Sequence, residues 1–95
     1  MEQKRNLTDL PNIGKVVAGQ LTEVGITTPE ELKEIGATDA WLRIQEIDQS
    51  ACINRLFGLE GAILEIKKAY LPPERKAQLK EFYEEHKIKG AWSRS

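Results

Sequence analysis

Residues 7–32, LTDLPNIGKVVAGQLTEVGITTPEEL, constrain the fold of this chain more than any other stretch. They read as a short helix, a tight hairpin, an amphipathic helix, a glycine stop and a freshly capped helix. Pro11 cannot continue a helix, and Asn12 and Gly14 tolerate backbone shapes that most residues avoid. The next helix would then open on the amides of Gly14, Lys15, Val16 and Val17, which have no intrahelical acceptor. Val17, Leu21 and Val24 fall on one stripe of residues 15–24. Gly25 stands where a left-handed C-terminal cap belongs, and Ile26 can fold back onto the stripe. Thr28 then caps a second helix with Pro29 at its first position, and Glu31 completes a capping box.

The rest of the chain shows no sustained alternation, so no strand is expected. Gly36 should end the second helix. Thr38 should cap a third over residues 39–47, with Trp41 and Ile44 inward. Asp48 or Ser50 should cap the longest helix, residues 51 to about 68, on a stripe of Cys52, Ile53, Leu56, Phe57, Leu59, Ile63 and Ile66. Pro72 and Pro73 close that segment and start a last helix to His86, with Leu79, Phe82 and Tyr83 inward. The expectation is an all-α bundle of five helices, six if the turn at residues 7–10 is counted. Its domain is residues 7–86, between an N-terminal extension (1–6) and a flexible tail (87–95) in which Trp92 is either unstructured or an anchor.

A helix, a hairpin and a second helix in this order form a helix-hairpin-helix, a module used to grip nucleic-acid backbones. Asn12, Gly14, Lys15, Val16 and Val17 are therefore candidate phosphate-binding residues, because a helix start attracts anions. The plainer reading is that Gly14 only lets two helices pack around Ile13. The DNA-binding form usually has glycine at both turn positions, and here Asn12 replaces the first. Lys67, Lys68, Arg75, Lys76 and Lys80 gather around the Pro72–Pro73 turn as a second candidate patch. Glu65, Glu74, Glu81, Glu84 and Glu85 lie among them, as on an ordinary solvated face.

Charge weighs against nucleic acid. The net charge is −1. Residues 1–50 hold five basic and nine acidic side chains, a net of −4, and residues 51–95 hold nine and six, a net of +3. A hairpin set in the acidic half is poorly placed to neutralise phosphates.

Gly58 and Gly61, inside the longest helix, suggest a close helix crossing or a groove for a ligand or partner helix, with Glu60 between them in solvent. Cys52 reads as a small buried hydrophobe, and as the single cysteine of the chain it forms no internal disulfide. That fits a reducing cytoplasm, as does the lack of a membrane-length apolar run or a hydrophobic leader. His86 can complement a helix dipole, but one histidine and one cysteine do not make a metal site. Nothing combines a nucleophile, a base and an oxyanion site. No enzyme, cofactor or small-molecule substrate is expected. The partner is either a regulatory protein or DNA.

The residues also carry a family likeness. Residues 7–14 (LTDLPNIG), 21–26 (LTEVGI), 28–32 (TPEEL), Gly36 with Ala37, and 40–42 (AWL) resemble the C-terminal domain of the TfoX/Sxy competence regulators. The likeness continues through Ala51 with Cys52, residues 59–63 (LEGAI), and Leu71 with Pro72. Asparagine at the position of Asn12 is normal in that family. The resemblance implies a SAM-like arrangement of two packed helical hairpins and a role in regulating competence genes. Full-length members act there as coactivators with the cyclic-AMP receptor protein. They carry a separate N-terminal domain as well, so this chain is expected to be either a single-domain member or an excised domain.

Overall fold

The computed structural model describes residues 6–86. The expectations for the 87–95 tail and Trp92 lie outside the described residues. A one-turn 3-10 helix, Leu7–Asp9, leads through the turn to α1 (Lys15–Glu23). There follow α2 (Pro29–Ile35), α3 (Ala37–Ile47), α4 (Ile53–Leu64), a second 3-10 turn (Lys68–Tyr70) and α5 (Pro73–His86). No strand occurs among the described residues, and none of their helices is long and apolar enough to cross a membrane.

α3 is the hub, in contact with α1, α2, α4 and α5, and its most extensive packing is on α4. Trp41 is fully buried at its centre, with Leu21, Ile26, Leu32, Ile44, Leu56, Leu59 and Leu79 around it. Phe82 and Tyr83 of α5 meet the Trp41 ring edge-on, at centroid distances of 6.1 and 5.5 Å. The indole N–H donates to the Cys52 carbonyl at 3.3 Å, so this large side chain is buried without an unsatisfied donor.

Helix ends explain most of the chain's path. Gly25 adopts φ +93°, and Ile26 N donates to Leu21 O at 2.8 Å, which closes α1 and turns Ile26 into the core. Thr28 Oγ1 accepts from Glu31 N at 3.1 Å as a cap should. The Glu31 carboxylate reaches one residue further back than a capping box requires, to Thr27 N at 2.7 Å. That backbone N–H, followed by the Thr27 hydroxyl, lowers the Glu31 pKa.

Three boundaries differ from expectation. Gly36 both ends α2 and opens α3, at φ +92° and ψ +157°, a region open in practice only to glycine. Thr38 therefore lies within the first turn and caps nothing. Cys52, not Asp48 or Ser50, is the N-cap of α4, because the Asp48 carboxylate instead accepts from Ser50 N at 3.0 Å in a local turn. α4 stops at Leu64 rather than near Lys68. Glu65 takes a left-handed conformation (φ +62°) there, and Ile66 N caps Gly61 O at 2.8 Å. α5, at 14 residues, is thus longer than α4, at 12. Lys33 of α2 pairs with Glu65 at 2.6 Å and ties that turn to α2.

Candidate interaction surface at the Leu10–Gly14 turn

Pro11 and Asn12 form the centre of a four-residue turn in which Ile13 N donates to Leu10 O at 3.4 Å. Asn12 has φ +70°, the left-handed value that the third position of a type II turn demands. Gly14 has an extended backbone (φ −96°, ψ −171°) that any residue can adopt, so its role is to leave the helix start uncovered. Its carbonyl receives Ala18 N at 2.9 Å, and the amides of Lys15, Val16 and Val17 have no intrahelical acceptor. Lys15 and Val16 are exposed, Val17 is half-buried, and α1 has no acidic residue in its first turn.

Asn12 is committed elsewhere. Its Nδ2 donates to Ile66 O at 2.9 Å and, more weakly, to Gly58 O at 3.4 Å, while its Oδ1 accepts from Lys68 N at 3.1 Å. The amide nitrogen and the carbonyl oxygen thus bind α4 and the loop after it. Gly58 and Gly61 make room for this. A Cβ at Gly61 would stand 2.6 Å from Asn12 Nδ2 and 2.7 Å from Ile66 O. The close approach announced by the two glycines is to a turn and not to a crossing helix.

Of the five basic residues around Pro72 and Pro73, Arg75 is engaged within the fold. Arg75 makes a two-pronged contact with Glu60, Nε to Oε2 at 2.9 Å and Nη2 to Oε1 at 3.2 Å, and its Nη1 donates to Gln78. The Glu60 carboxylate raises the Arg75 pKa. Glu60 is buried, contrary to expectation, because Arg75 from the next helix neutralises it. Lys67 and Lys80 are exposed and Lys76 is half-buried. Lys68 alone joins the turn, through its backbone bond to Asn12.

Beside that bond lies a hollow of about 200 Å³, bordered by Asn12, Val17, Asn54, Arg55, Leu59 and Lys68. Cys52 also lines it and is exposed, because as N-cap it stands outside the helical stripe that would have buried it. Arg55 is held in place: Nη1 donates to Gln20 Oε1 at 3.0 Å and to Asp48 Oδ2 at 2.9 Å. Gln20 Nε2 donates to the same Asp48 oxygen at 2.8 Å. The Ser50 hydroxyl, then Gln20 and Arg55, hold the Asp48 carboxyl well below the ordinary aspartate range. Sequence reasoning missed this network. Its only local signal was the aspartate two residues before Ser50, a turn pattern that also reads as a helix cap. At the far end of α5, His86 stacks on Phe82 at 4.1 Å. No group of three His, Cys, Asp or Glu side chains that could hold a metal comes together among the described residues.

Known proteins resemble this chain in sequence and in fold. Protein Sxy of Escherichia coli (strain K12) is 38% identical over 79 residues, which are 83% of this chain and 38% of that protein. The chain therefore spans well under half the length of that relative. Two crystal structures from Listeria monocytogenes superpose closely, each at 46% identity. An uncharacterized protein in a triclinic form gives a TM-score of 0.84, covering 85% of this chain and 92% of that one. A protein of unknown function in a tetragonal form gives 0.82, covering 84% and 98%. The model of the TfoX C-terminal domain matches residues 3–83, and the chain belongs to that family.

Proposed function

We propose that this domain is a non-enzymatic regulatory adaptor that works through protein–protein contacts, in the control of competence genes that the TfoX/Sxy likeness implies. The observation that carries this reading is the state of its cations. Between Asn6 and His86 the sequence has nine basic and fourteen acidic side chains. Lys33, Arg55 and Arg75 are bound in ion pairs. Attraction to phosphate depends on unpaired cations in excess, and this domain has the opposite balance. Asn12, at the turn position where the DNA-binding hairpin has glycine, holds α4 and offers no donor. What the α1 start presents is Lys15 beside an apolar Val16 that is 69% exposed.

Direct nucleic-acid binding is the second reading, favoured by the acid-free first turn of α1 between Lys15 and Lys68. Two measurements separate them. A photo-crosslinking residue at position 16, placed in the intact protein in its bacterial host, should give a discrete protein adduct that is absent when it replaces Glu81. An amide-resolved titration with a short DNA duplex at low salt should leave Gly14, Lys15, Val16 and Val17 unmoved. Salt-sensitive shifts at those four amides, weakened by Lys15→Glu, would transfer the function to DNA.

A further inference from the structure

We infer that the hollow between the starts of α1 and α4 is a binding site for a small phosphomonoester, lined by Lys68 as its unpaired cation, by Arg55 as a hydrogen-bond donor held by Asp48, and by the apolar Leu59 and Val17. The reading is independent of the adaptor proposal. The hollow is concave, and its volume of about 200 Å³ admits a phosphoryl group with a few further heavy atoms. No carboxylate lines it. Lys68 makes no ion pair among the described residues, and its backbone is pinned by Asn12, so its ammonium works from a fixed base. Arg55 presents its guanidinium with one nitrogen already anchored to Gln20 and Asp48. Its Nε and Nη2 make no hydrogen bond among the described residues. A pre-positioned guanidinium plane loses little freedom on meeting a phosphoryl group.

Asn54 borders the same space. Because Cys52 is the N-cap, the amides of Ile53 and Asn54 at the head of α4 lack intrahelical acceptors. An unpaired lysine, a guanidinium whose Nε and Nη2 stay open while Asp48 takes Nη1, a neutral amide and an apolar lining suit a phosphate attached to a small body.

The phosphoryl group could come from a free phosphomonoester or from a nucleic-acid backbone, so the test has an arm for each. The labelled protein is titrated separately with inorganic phosphate, a 5′-mononucleotide and a short DNA duplex. The expected result is saturable shifts at Cys52, Asn54, Arg55, Gly58 and Lys68 with the mononucleotide. Native labelling of Cys52, the single thiol, should slow in parallel. Lys68→Ala should weaken binding about tenfold, Asn54→Asp should abolish it, and Lys76→Ala should leave it unchanged. Both Asn54 and Lys68 are exposed, so these variants keep the fold. Shifts at the same residues with the duplex alone would overturn the small-ligand assignment in favour of a backbone phosphate. Shifts confined to Gly14, Lys15, Val16 and Val17 would overturn the hollow and leave only the DNA reading of the α1 start. An unperturbed spectrum at millimolar mononucleotide would overturn the site altogether.

Discussion

Two glycines three residues apart on α4 should respond to alanine with opposite signs. At Gly58 an added Cβ meets Asn12 Cβ at 3.5 Å and Asn12 O at 3.7 Å, which is ordinary contact. Alanine is then free to express its helix propensity, about 1 kcal/mol over glycine. Gly58→Ala should stabilise the domain by up to about 1 kcal/mol. At Gly61 the same methyl lies 2.6 Å from Asn12 Nδ2, 2.7 Å from Ile66 O and 3.3 Å from Lys68 Cα. Two of those atoms are backbone, and Ile66 both caps Gly61 and receives the Asn12 side chain. The loop must move. Overpacking costs about 1–3 kcal/mol, and each Asn12 hydrogen bond lost costs about 1 kcal/mol more. After the propensity gain, Gly61→Ala should destabilise by about 1–3 kcal/mol. Urea unfolding followed by far-ultraviolet circular dichroism reads both. In a domain of this size each kcal/mol moves Tm by about 4–8 °C. Because the methyl and the Asn12 amide share one contact, Asn12→Ala should cost less in the Gly61→Ala background than alone. A Gly61→Ala protein as stable as the wild type would refute the seating of the turn on α4.

Three further outcomes test other parts of the structure. A double-mutant cycle of Glu60→Gln and Arg75→Leu should give a coupling of about 1–2 kcal/mol, at the low end for a charged pair because the Arg75 side chain is 38% exposed. A coupling of zero would show that the pair does not join α4 to α5. The Asp48 pKa is lowered in the folded state, so below the ordinary aspartate value of about 4 the unfolded chain binds the proton first. The stability that Asp48 contributes is complete above that pH and is lost as pH falls through the folded value. Asp48→Asn should flatten this acid limb in urea melts, and an unchanged limb would remove Asp48 from the network. Cys52 should react with an aromatic disulfide reagent in the native protein within a few-fold of its rate in the unfolded chain, whereas strong protection would mean that it is buried after all.

What was legible in the sequence was local. Gly25 with Ile26 and Thr28 with Pro29 specify their helix ends within a few residues, because the hydrogen bonds involved span five positions or fewer. Trp41 and Leu79 were legible as core from their period. The misplaced features depend on partners far along the chain. Glu65 adopts a conformation that glycine usually marks, and Lys33, 32 residues away, is paired with it. Glu60 is buried only because Arg75 reaches it from α5. The five basic residues looked like one patch because they are close in sequence. The fold gives the Arg75 side chain to Glu60 and binds Lys68 to Asn12 through its backbone alone. Cys52 followed the apolar stripe on paper, but the helix begins one residue later and leaves it at the rim.

Asn12 connects these observations to function. A hairpin that grips a phosphodiester needs a bare first turn position, so that the backbone can come close and its amides stay free. This turn instead places a branched polar side chain there, at a positive φ that disfavours side chains, and uses every polar atom of that side chain to bind its own α4 and the following loop. The hydrogen bonds of Asn12 offset the small cost of that φ, which asparagine tolerates better than most residues, and make the turn rigid. The turn, the head of α1 and Lys68 become one body, with Gly58 and Gly61 as its seat. A rigid surface with an exposed apolar Val16, in a domain with more acidic than basic side chains, is the kind of surface the adaptor proposal calls for. The same rigidity serves the small-ligand proposal for the adjoining hollow, since the Lys68 backbone and the Arg55 guanidinium are held before anything binds. The residue that departs from the nucleic-acid hairpin is therefore the one that builds an alternative surface, and Asn12→Gly should restore the bare turn while releasing that surface from α4.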